Sequence, residues 1–285
     1  MSRLEFSHRK LSPRSSLTCR AHTGRHCRCR ENVCFPIAIC RPAGQISEVR
    51  TATMRFDNFI QVAGIRDRAE AELLVKCGVR YLGFPLRLPV HEEDISEREA
   101  SAIIGTLRSP ACGVLITYLD RAGDIIEFCT SLGVSVVQLH GDIEPAELRR
   151  IKKHQPALTV IKSLVIGQHP IDHLLDILEH TTPYVDAYLT DTFDPETGAS
   201  GATGRTHDWR LSRQLVRQSS RPVILAGGLN PANVRGAILA VRPSGVDAHT
   251  GLEDASGRKS EANVMEFVSE ARKAFRILRE TAGAR

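Results

Sequence analysis

Short apolar runs alternate with amphipathic stretches from Phe59 to the end of the chain. The apolar runs are rich in Val, Ile, Leu and aromatic residues, which is typical of buried parallel strands. Strands are predicted at 59–63, 81–84, 113–118, 135–140, 158–163, 185–191, 222–228 and 245–250. The intervening stretches carry apolar residues three and four positions apart, which indicates helices. Helices are predicted at 68–78, 96–108, 120–133, 145–154, 169–180, 208–219, 230–243 and 261–280.

Several predicted helices begin with residues that cap a helix. Asp67 precedes the first helix, Ser96 and Glu99 form a capping box, and the pair Asn230-Pro231 starts the seventh. Eight strands alternating with eight helices predict an α/β protein, a single (β/α)8 TIM barrel over residues 54–285. A doubly wound sheet is disfavoured, because no G-x-G-x-x-G follows the first strand.

In a barrel of this kind the chemistry lies at the C-terminal ends of the strands. The first strand runs into a glycine turn in the stretch FIQVAGIRD (59–67), and Ala63 holds the strand-end position where a reactive side chain would be expected. The other strand-end positions are Phe84, Tyr118, His140, Lys162, Asp191, Gly227, Gly228 and residues 249–251.

Charge and cysteine usage divide the chain near residue 53. Residues 1–53 hold ten Lys/Arg and three Asp/Glu, a net charge of +7, and five of the eight cysteines. The spacing of Cys and His in 19–40 does not match a zinc site. The Arg and Ser content is compatible with a transit peptide, but the segment has no clear amphipathic helix. We expect a disordered extension, or a segment upstream of a functional start at Met54.

The body of the chain has 28 basic and 30 acidic residues, a net charge of −2. This balance argues against a nucleic-acid surface across the fold. No apolar run approaches the roughly 18 residues of a membrane span. The three scattered cysteines of the body are typical of a reducing compartment, so we expect a cytoplasmic protein without membrane contact.

Two glycine-containing segments near the end of the chain predict a phosphate site. LAGGLNPANV (225–234) and GVDAHTGLED (245–254) each follow a predicted strand. Backbone amides and a helix N-terminus at such loops suit an anion, and the seventh and eighth loops of these barrels often form one phosphate site. Tight turns alone are the alternative interpretation. The candidate phosphate or substrate contacts are Gly227, Gly228, Asn230, His249, Thr250 and Gly251.

A long loop follows the predicted sixth strand in TDTFDPETGASGATGRTHDW (190–209). Asp191 at the strand end is a candidate general acid or base, with Asp194 as a second choice or a loop-capping residue. The loop is longer than usual for this connection, which favours a functional lid. Gly204 and Arg205 within it are candidate substrate contacts.

Gln138 and His140 in VQLHGD (137–142) alternate with apolar residues, so both are expected on the same face of their strand. Gln138 is a candidate substrate contact, and His140 is a candidate catalytic residue, although interior histidines are often only structural. Lys162 is a candidate anion contact, with Schiff-base chemistry as a less favoured alternative. No metal site has convincing ligand spacing in the body.

Together these motifs resemble the phosphoribosylanthranilate isomerase family of tryptophan biosynthesis. The resemblance is carried by VQLHGD, Asp191-Thr192, GATGRTHDW (201–209), LAGGLNPANV, and GVDAHTGLED with GRK (257–259), over about residues 58–275. It implies a cofactor-free Amadori rearrangement of N-(5-phosphoribosyl)anthranilate. It also implies that Asp191 is the general acid and that phosphate binds at Gly227, Gly228, Asn230 and residues 249–251.

The chain departs from the family pattern at two places. The family carries a general-base cysteine in a K-I-C-G-I type motif on the first strand, where this chain has Q-V-A-G-I with Ala63. The family also has a carboxylate-binding arginine after the second strand, where alignment places Glu93. Arg87 is nearby as a substitute contact. Candidate replacement bases are His91, Glu92, Glu93, His207 and His249.

Three hypotheses follow for the function. The first is the family's isomerisation with another residue as base. The second is a diverged paralogue acting on a different phosphosugar, and the third is a non-catalytic phospho-ligand-binding protein. A phosphorylated small molecule is the expected partner, and the sequence leaves monomer and homodimer open.

Overall fold

The computed structural model describes residues 54–89, 93–193 and 206–283. Within them, eight parallel strands form a closed barrel in which successive strands pair and the eighth strand pairs with the first. A helix follows each strand along the chain. The predicted (β/α)8 barrel is therefore confirmed for this part of the chain.

All predicted strands and helices are present, with boundaries that shift by a few residues. The strands are β1 (Phe59–Ala63), β2 (Tyr81–Pro85), β3 (Cys112–Thr117), β4 (Val136–Leu139), β5 (Thr159–Ile166), β6 (Ala187–Thr192), β7 (Val223–Leu225) and β8 (Gly245–Ala248). The helices are α1 (Arg68–Lys76), α2 (Glu97–Ile104), α3 (Ala122–Leu132), α4 (Pro145–His154), α5 (Ile171–Thr181), α6 (Trp209–Gln218), α7 (Val234–Val241) and α8 (Glu261–Gly283). Short 3-10 helices lie at Thr182–Tyr184 and Thr250–Leu252.

The predicted caps of the first two helices are confirmed. The Asp67 carboxylate accepts a hydrogen bond from the Glu70 backbone amide at 2.9 Å. The Ser96 hydroxyl accepts from the Glu99 amide at 3.3 Å and donates to the Glu99 carboxylate at 2.6 Å. Each cap satisfies backbone amides that a helix leaves unpaired, a contribution of about 1 kcal/mol.

The predicted start of α7 is wrong by several residues. The Asn230 side chain accepts hydrogen bonds from the amides of Ala232 and Asn233, which closes a turn that leads into the helix. The regular helix begins at Val234. An asparagine side chain that mimics a backbone turn competes with helix formation, so Asn-Pro marks a turn here.

The barrel has two apolar layers. The larger cluster packs between the strands and the helices. A smaller cluster fills the barrel interior and consists of Phe56, Phe59, Val114, Val136, Ile161, Ala187, Leu189, Ile224 and Ala226. Burying each of the large side chains contributes roughly 1.5–3 kcal/mol. The interior cluster makes the barrel a packed core, above which polar side chains can collect near the C-terminal ends of the strands.

No helix among the described residues is long and apolar enough to cross a membrane. The predictions made for residues 1–53 concern a segment outside the described residues.

Candidate active site

Strand alternation brings polar side chains into the barrel above the interior apolar cluster. In β1, Phe59 belongs to that cluster, while Ile60 and Val62 face the helices. The same alternation therefore puts Gln61 and Ala63 on the interior side. Gln61 is fully buried and Ala63 is 5% exposed.

A chain of hydrogen bonds links the polar residues of β1 and β4. The Gln61 amide nitrogen donates to the Gln138 side-chain oxygen at 2.7 Å, and the Gln138 amide nitrogen donates to His140 Nε2 at 2.7 Å. Burial lowers the pKa of His140 to about 3, with the charge of Lys162 acting in the same direction. A neutral ring that accepts at Nε2 carries its proton on Nδ1.

Asp191 lies near the end of β6 and is buried. Its Oδ1 accepts from the Thr192 amide at 2.7 Å, and its Oδ2 is 3.8 Å from His140 Nδ1. Burial raises the pKa of Asp191 to about 7. Desolvation disfavours the charged carboxylate, so the group can hold and release a proton near neutral pH.

Asp247 on β8 is a second buried carboxylate in the same interior. Burial and the charge of Asp191 raise the pKa of Asp247 to about 7, and the Gln61 and Gln138 side chains oppose that rise. Among the described residues, its Oδ1 has no hydrogen-bond partner. Two such carboxyl groups titrate as a pair, so the apparent pKa values belong to both.

Two glycine-rich loops lie beside the acid. Gly227 and Gly228 have φ values of +93° and +59°, a backbone conformation that glycine adopts without strain. Hydrogen bonds between described residues do not use their backbone amides. A Cβ at Gly251 would lie 2.1 Å from the Leu229 carbonyl oxygen, so the two loops are in close contact.

One cavity joins the acid and the loops. It is lined by Asp191, Ala226, Gly227, Gly228, Leu229, Asp247, Ala248, His249, Thr250 and Gly251. The predicted loop residues at 227, 228 and 249–251 therefore meet Asp191. The Asn230 side chain is instead occupied by the turn before α7.

The sequence predicts that Lys162 contacts an anion at a strand end, whereas its ammonium lies in a buried environment. Val160 and Leu164 face the helices while Ile161 belongs to the interior cluster. The alternation of β5 therefore places Lys162 on the helix-facing side and Ser163 on the interior side. Lys162 is 4% exposed, its ammonium donates to the Ser163 carbonyl at 2.9 Å, and burial lowers its pKa to about 8.

Arg87 does not join the cavity. Its guanidinium donates to both carboxylate oxygens of Glu97, at 2.8 and 3.2 Å, and lies 3.6 Å from the centre of the Phe128 ring. The Arg87 backbone amide donates to the exposed carboxylate of Glu93. Both residues thus hold the segment after β2 together, which is a structural role.

His207 is also held by its neighbours. Its Nδ1 is 2.9 Å from the Thr192 hydroxyl, and its Nε2 is 2.5 Å from the Ser212 hydroxyl. Both ring nitrogens are therefore occupied. The candidates His91, Glu92, Asp194, Gly204 and Arg205, and with them the predicted lid, lie outside the described residues.

The structure adds Gln61, Ser163 and Asp247 to the residues predicted from the sequence. Gln61 precedes Ala63 by two positions in an apolar strand, and Asp247 interrupts the apolar run of β8. The period-two alternation was the available signal for both. Within the described ranges, no group of three or more His, Cys, Asp or Glu side chains is arranged to hold a metal ion.

The chain is a parallel eight-stranded barrel with a buried carboxyl group and two glycine loops at the C-terminal ends of its strands, the end at which enzymes of this class carry their active sites. The family model for N-(5'-phosphoribosyl)anthranilate (PRA) isomerase matches residues 60–270. The chain belongs to this family, which confirms the resemblance found in the sequence.

Relatives match over nearly their whole length. The chain is 36% identical over 217 residues to N-(5'-phosphoribosyl)anthranilate isomerase 2 of Methanosarcina mazei, covering 76% of this chain and 95% of the relative. It is 36% identical over 217 residues to the isomerase of Desulforudis audaxviator, covering 76% and 98%.

Solved structures of the family share the fold. The isomerase of Thermotoga maritima has a TM-score of 0.64 at 28% identity, covering 76% of this chain and 99% of that one. A family structure in complex with reduced 1-(o-carboxyphenylamino)-1-deoxyribulose 5-phosphate has a TM-score of 0.62 at 26% identity, covering 76% and 99%. A further structure describes monomers generated from the dimeric Thermotoga maritima enzyme, with a TM-score of 0.61 at 27% identity, covering 76% and 99%.

Proposed function

We propose that this protein catalyses the Amadori rearrangement of N-(5-phosphoribosyl)anthranilate to 1-(carboxyphenylamino)-1-deoxyribulose phosphate. One observation carries the proposal. The buried carboxyl of Asp191, with a pKa raised to about 7, lines the same cavity as the glycine loops at 227–228 and 250–251. Membership of the isomerase family supports the assignment of substrate and reaction.

The glycine loops bind the substrate's phosphate in this proposal. The amides of Gly227 and Gly228 are available to an anion, and neither residue has a side chain that would keep the anion from the backbone. Anchoring the phosphate fixes the sugar in the cavity beside Asp191. A bound and oriented substrate replaces a diffusional encounter, which lowers the barrier to reaction.

Asp191 is the general acid. In its protonated form it donates to the ring oxygen of the ribose, the bond from that oxygen to C1 breaks, and the aniline nitrogen forms an iminium with C1. The Asp191 carboxylate that remains faces Nδ1–H of His140. His140 is therefore a positioning residue that stabilises the Asp191 carboxylate after the proton has been donated. A general acid of this kind contributes roughly 10²–10⁴-fold to the rate.

The remaining steps move hydrogen within one molecule. A base takes the proton from C2, the electron pair forms the C1=C2 bond, and the nitrogen regains its lone pair. The enol then becomes the C2 ketone as its oxygen loses a proton and C1 gains one. The reaction is an isomerisation, so it needs neither an oxidant nor a cofactor.

A second candidate function is the same type of isomerisation on a different phosphosugar. Ala63 and Glu93 favour it, because they stand where the family places its base and its carboxylate-binding arginine. Arg87 does not substitute, since its guanidinium binds Glu97. A non-catalytic binding role is less well supported, because a buried acid of raised pKa costs stability and serves no purpose in binding phosphate alone.

The proposal is tested by turnover of phosphoribosylanthranilate generated in situ, followed as loss of its fluorescence. We expect turnover by the wild-type protein and a loss of about 10²-fold or more in Asp191→Asn. Absence of turnover in a folded protein that binds inorganic phosphate would overturn the proposal in favour of another phosphosugar.

We further propose a cytoplasmic protein that is a monomer or a homodimer. Among the described residues, Cys77, Cys112 and Cys129 are free thiols, which suits a reducing compartment. Light scattering of the purified chain at several concentrations tests the oligomeric state.

A further inference from the structure

Ala63 leaves the proposed isomerisation without a base at the end of β1, because a methyl group cannot accept a proton. The neighbouring strand supplies a candidate. In the pairing of β1 with β8, Val62 is opposite Ala248. Ala63 follows Val62, and His249 follows Ala248 directly after β8. The two residues are therefore neighbours at the mouth of the barrel.

The His249 ring occupies the space beside Gly64, the residue that follows Ala63. A Cβ at Gly64 would lie 1.9 Å from His249 Nε2 and within 2.7 Å of the adjacent ring carbons. Gly64 has a φ of +75°. Any side chain at Gly64 would displace the imidazole, so His249 lies against the backbone of Gly64.

His249 shares the cavity with the proposed acid and the phosphate loops. The lining includes Asp191, Gly227, Gly251 and His249. Asp191 is on β6 and His249 follows β8, so the two reach the cavity from strands that are separated only by β7. A substrate anchored by its phosphate in this cavity would therefore meet both an acid and an imidazole.

Charged side chains from three loops surround this imidazole. Its Nε2 is 3.8 Å from Asp94 and 3.6 Å from Glu253. Each carboxylate has a cation of its own: Arg66 is 3.4 Å from Asp94, and Lys259 is 2.6 Å from Glu253. The carboxylates orient the ring, and the paired cations limit how far they favour its charged form.

The net effect of these groups leaves His249 neutral. Burial and the charges of Lys259 and Arg66 lower the pKa of His249 to about 4, opposed by Asp94 and Glu253. A neutral imidazole at physiological pH is able to accept a proton. Its side chain is 22% exposed, so the ring remains accessible from the mouth of the barrel.

The other described candidates are occupied elsewhere. Glu93 accepts from the Arg87 backbone amide, and His207 is bonded at both ring nitrogens. His140 accepts from Gln138 and lies beside Asp191, on the acid's side of the cavity.

We propose that His249 is the general base of this barrel, in the place of the cysteine that the family carries on its first strand. This inference rests on the proposed isomerisation. In it, His249 removes the C2 proton of the iminium, and the C2–H electron pair becomes the C1=C2 bond. The imidazolium then returns its proton to C1 as the enol becomes the ketone, and the proton lost by the enol oxygen returns to the Asp191 carboxylate, so the enzyme ends in its starting state.

The test uses the full chain and moves the base from one strand to the other. In His249→Asn we expect kcat for phosphoribosylanthranilate to fall by roughly 10²–10⁴-fold with a much smaller change in KM. Adding Ala63→Cys to that variant should restore turnover by at least tenfold. His154→Asn, at the exposed end of α4, is the matched control and should behave as wild type.

The pH profile distinguishes a base from a structural residue. Wild-type kcat/KM should persist down to about pH 5, since the pKa of His249 is lowered to about 4. In the variant that combines His249→Asn with Ala63→Cys, the low-pH limb of the kcat/KM profile should move up by more than one pH unit. The reason is that an ordinary thiol ionises near 8.5. If Ala63→Cys restored turnover while the low-pH limb stayed where it is in the wild type, the inference would be overturned.

Four outcomes contradict the inference. Wild-type turnover that survives in His249→Asn would overturn it, as would a change in KM with kcat intact. Turnover by Ala63→Cys alone, with none by wild type, would show that the native site has no base and would overturn the inference while supporting the substrate. Turnover by neither, in folded proteins that bind inorganic phosphate, would overturn the proposed function and the inference with it.

Discussion

Asp191 and Asp247 are carboxyl groups buried in one barrel interior, and their chemistry follows from that burial. Few donors compensate either charge: Asp191 accepts from the Thr192 amide, and Asp247 Oδ1 has no partner among the described residues. Desolvation therefore raises the pKa of both to about 7. The same desolvation that allows Asp191 to act as an acid at neutral pH should also lower the stability of the folded state.

The first prediction concerns the rate. Because Asp191 must be protonated to donate, kcat/KM should fall about tenfold per pH unit above pH 7. The coupled titration with Asp247 broadens this limb. Steady-state rates between pH 5 and 9 measure it, and a profile that stays flat to pH 9 would contradict the role of Asp191 as acid.

The second prediction concerns stability. The carboxyl of Asp191 ionises near 3.8 when unfolded and near 7 when folded, so the folded state loses stability as the pH rises between these values. Asp191→Asn removes the charge and should be more stable than wild type by on the order of a few kcal/mol at pH 8, with a smaller difference at pH 4. Thermal unfolding at both pH values measures this. Asp120→Asn, at an exposed site, should change little.

At the scale of the elements, hydrophobic periodicity predicted most of the fold. β1 and α4 have the predicted bounds. The apolar run of β1 ends at Gly64, and Pro145 marks the first residue of α4. β5 extends three residues beyond its predicted end because its buried run continues to Ile166. β7 ends at Leu225 because the backbone turns at the following glycines.

The polar site was harder to predict than the elements. The strand-end position makes Asp191 a candidate acid or base, the family resemblance implies the role of general acid, and turn chemistry predicts the loop glycines. The periodicity placed Gln138 correctly beside His140. The sequence predicts a strand-end contact for Lys162 because it does not reveal where β5 stops, whereas the alternation of β5 puts Ser163 on the interior side. Arg87 binds Glu97, a contact between loop and helix that no local pattern indicates.

A third prediction belongs to the loop between β7 and α7. A Cβ at Gly227 would lie 2.1 Å from the Thr192 hydroxyl, and its φ of +93° disfavours any side chain. Gly227→Ala should therefore weaken inhibition by inorganic phosphate by at least tenfold. The control is Gly236→Ala within α7, where a Cβ meets nothing within 4 Å. That change should leave inhibition intact and stabilise the fold by roughly 0.5–1 kcal/mol. Equal inhibition of both variants would place the phosphate elsewhere.

At the scale of the whole molecule, closure of the barrel is what assembles the site. Asp191, Gly227 and His249 come from the ends of three different strands, and the pairing of β8 with β1 brings His249 to Ala63. Residues 51–285 form one compact unit. All eight strands and the residues of the described cavity belong to this unit.

The last prediction is that residues 54–285 carry the activity. Every described contact to the cavity comes from this part of the chain, so removing residues 1–53 should leave kcat/KM for phosphoribosylanthranilate within about twofold of the full chain. Side-by-side assays of the two proteins, with thermal unfolding as a check on folding, measure this. A folded 54–285 fragment with a much lower kcat/KM would mean that the basic segment contributes to the site, and the boundary near residue 53 would have to be abandoned.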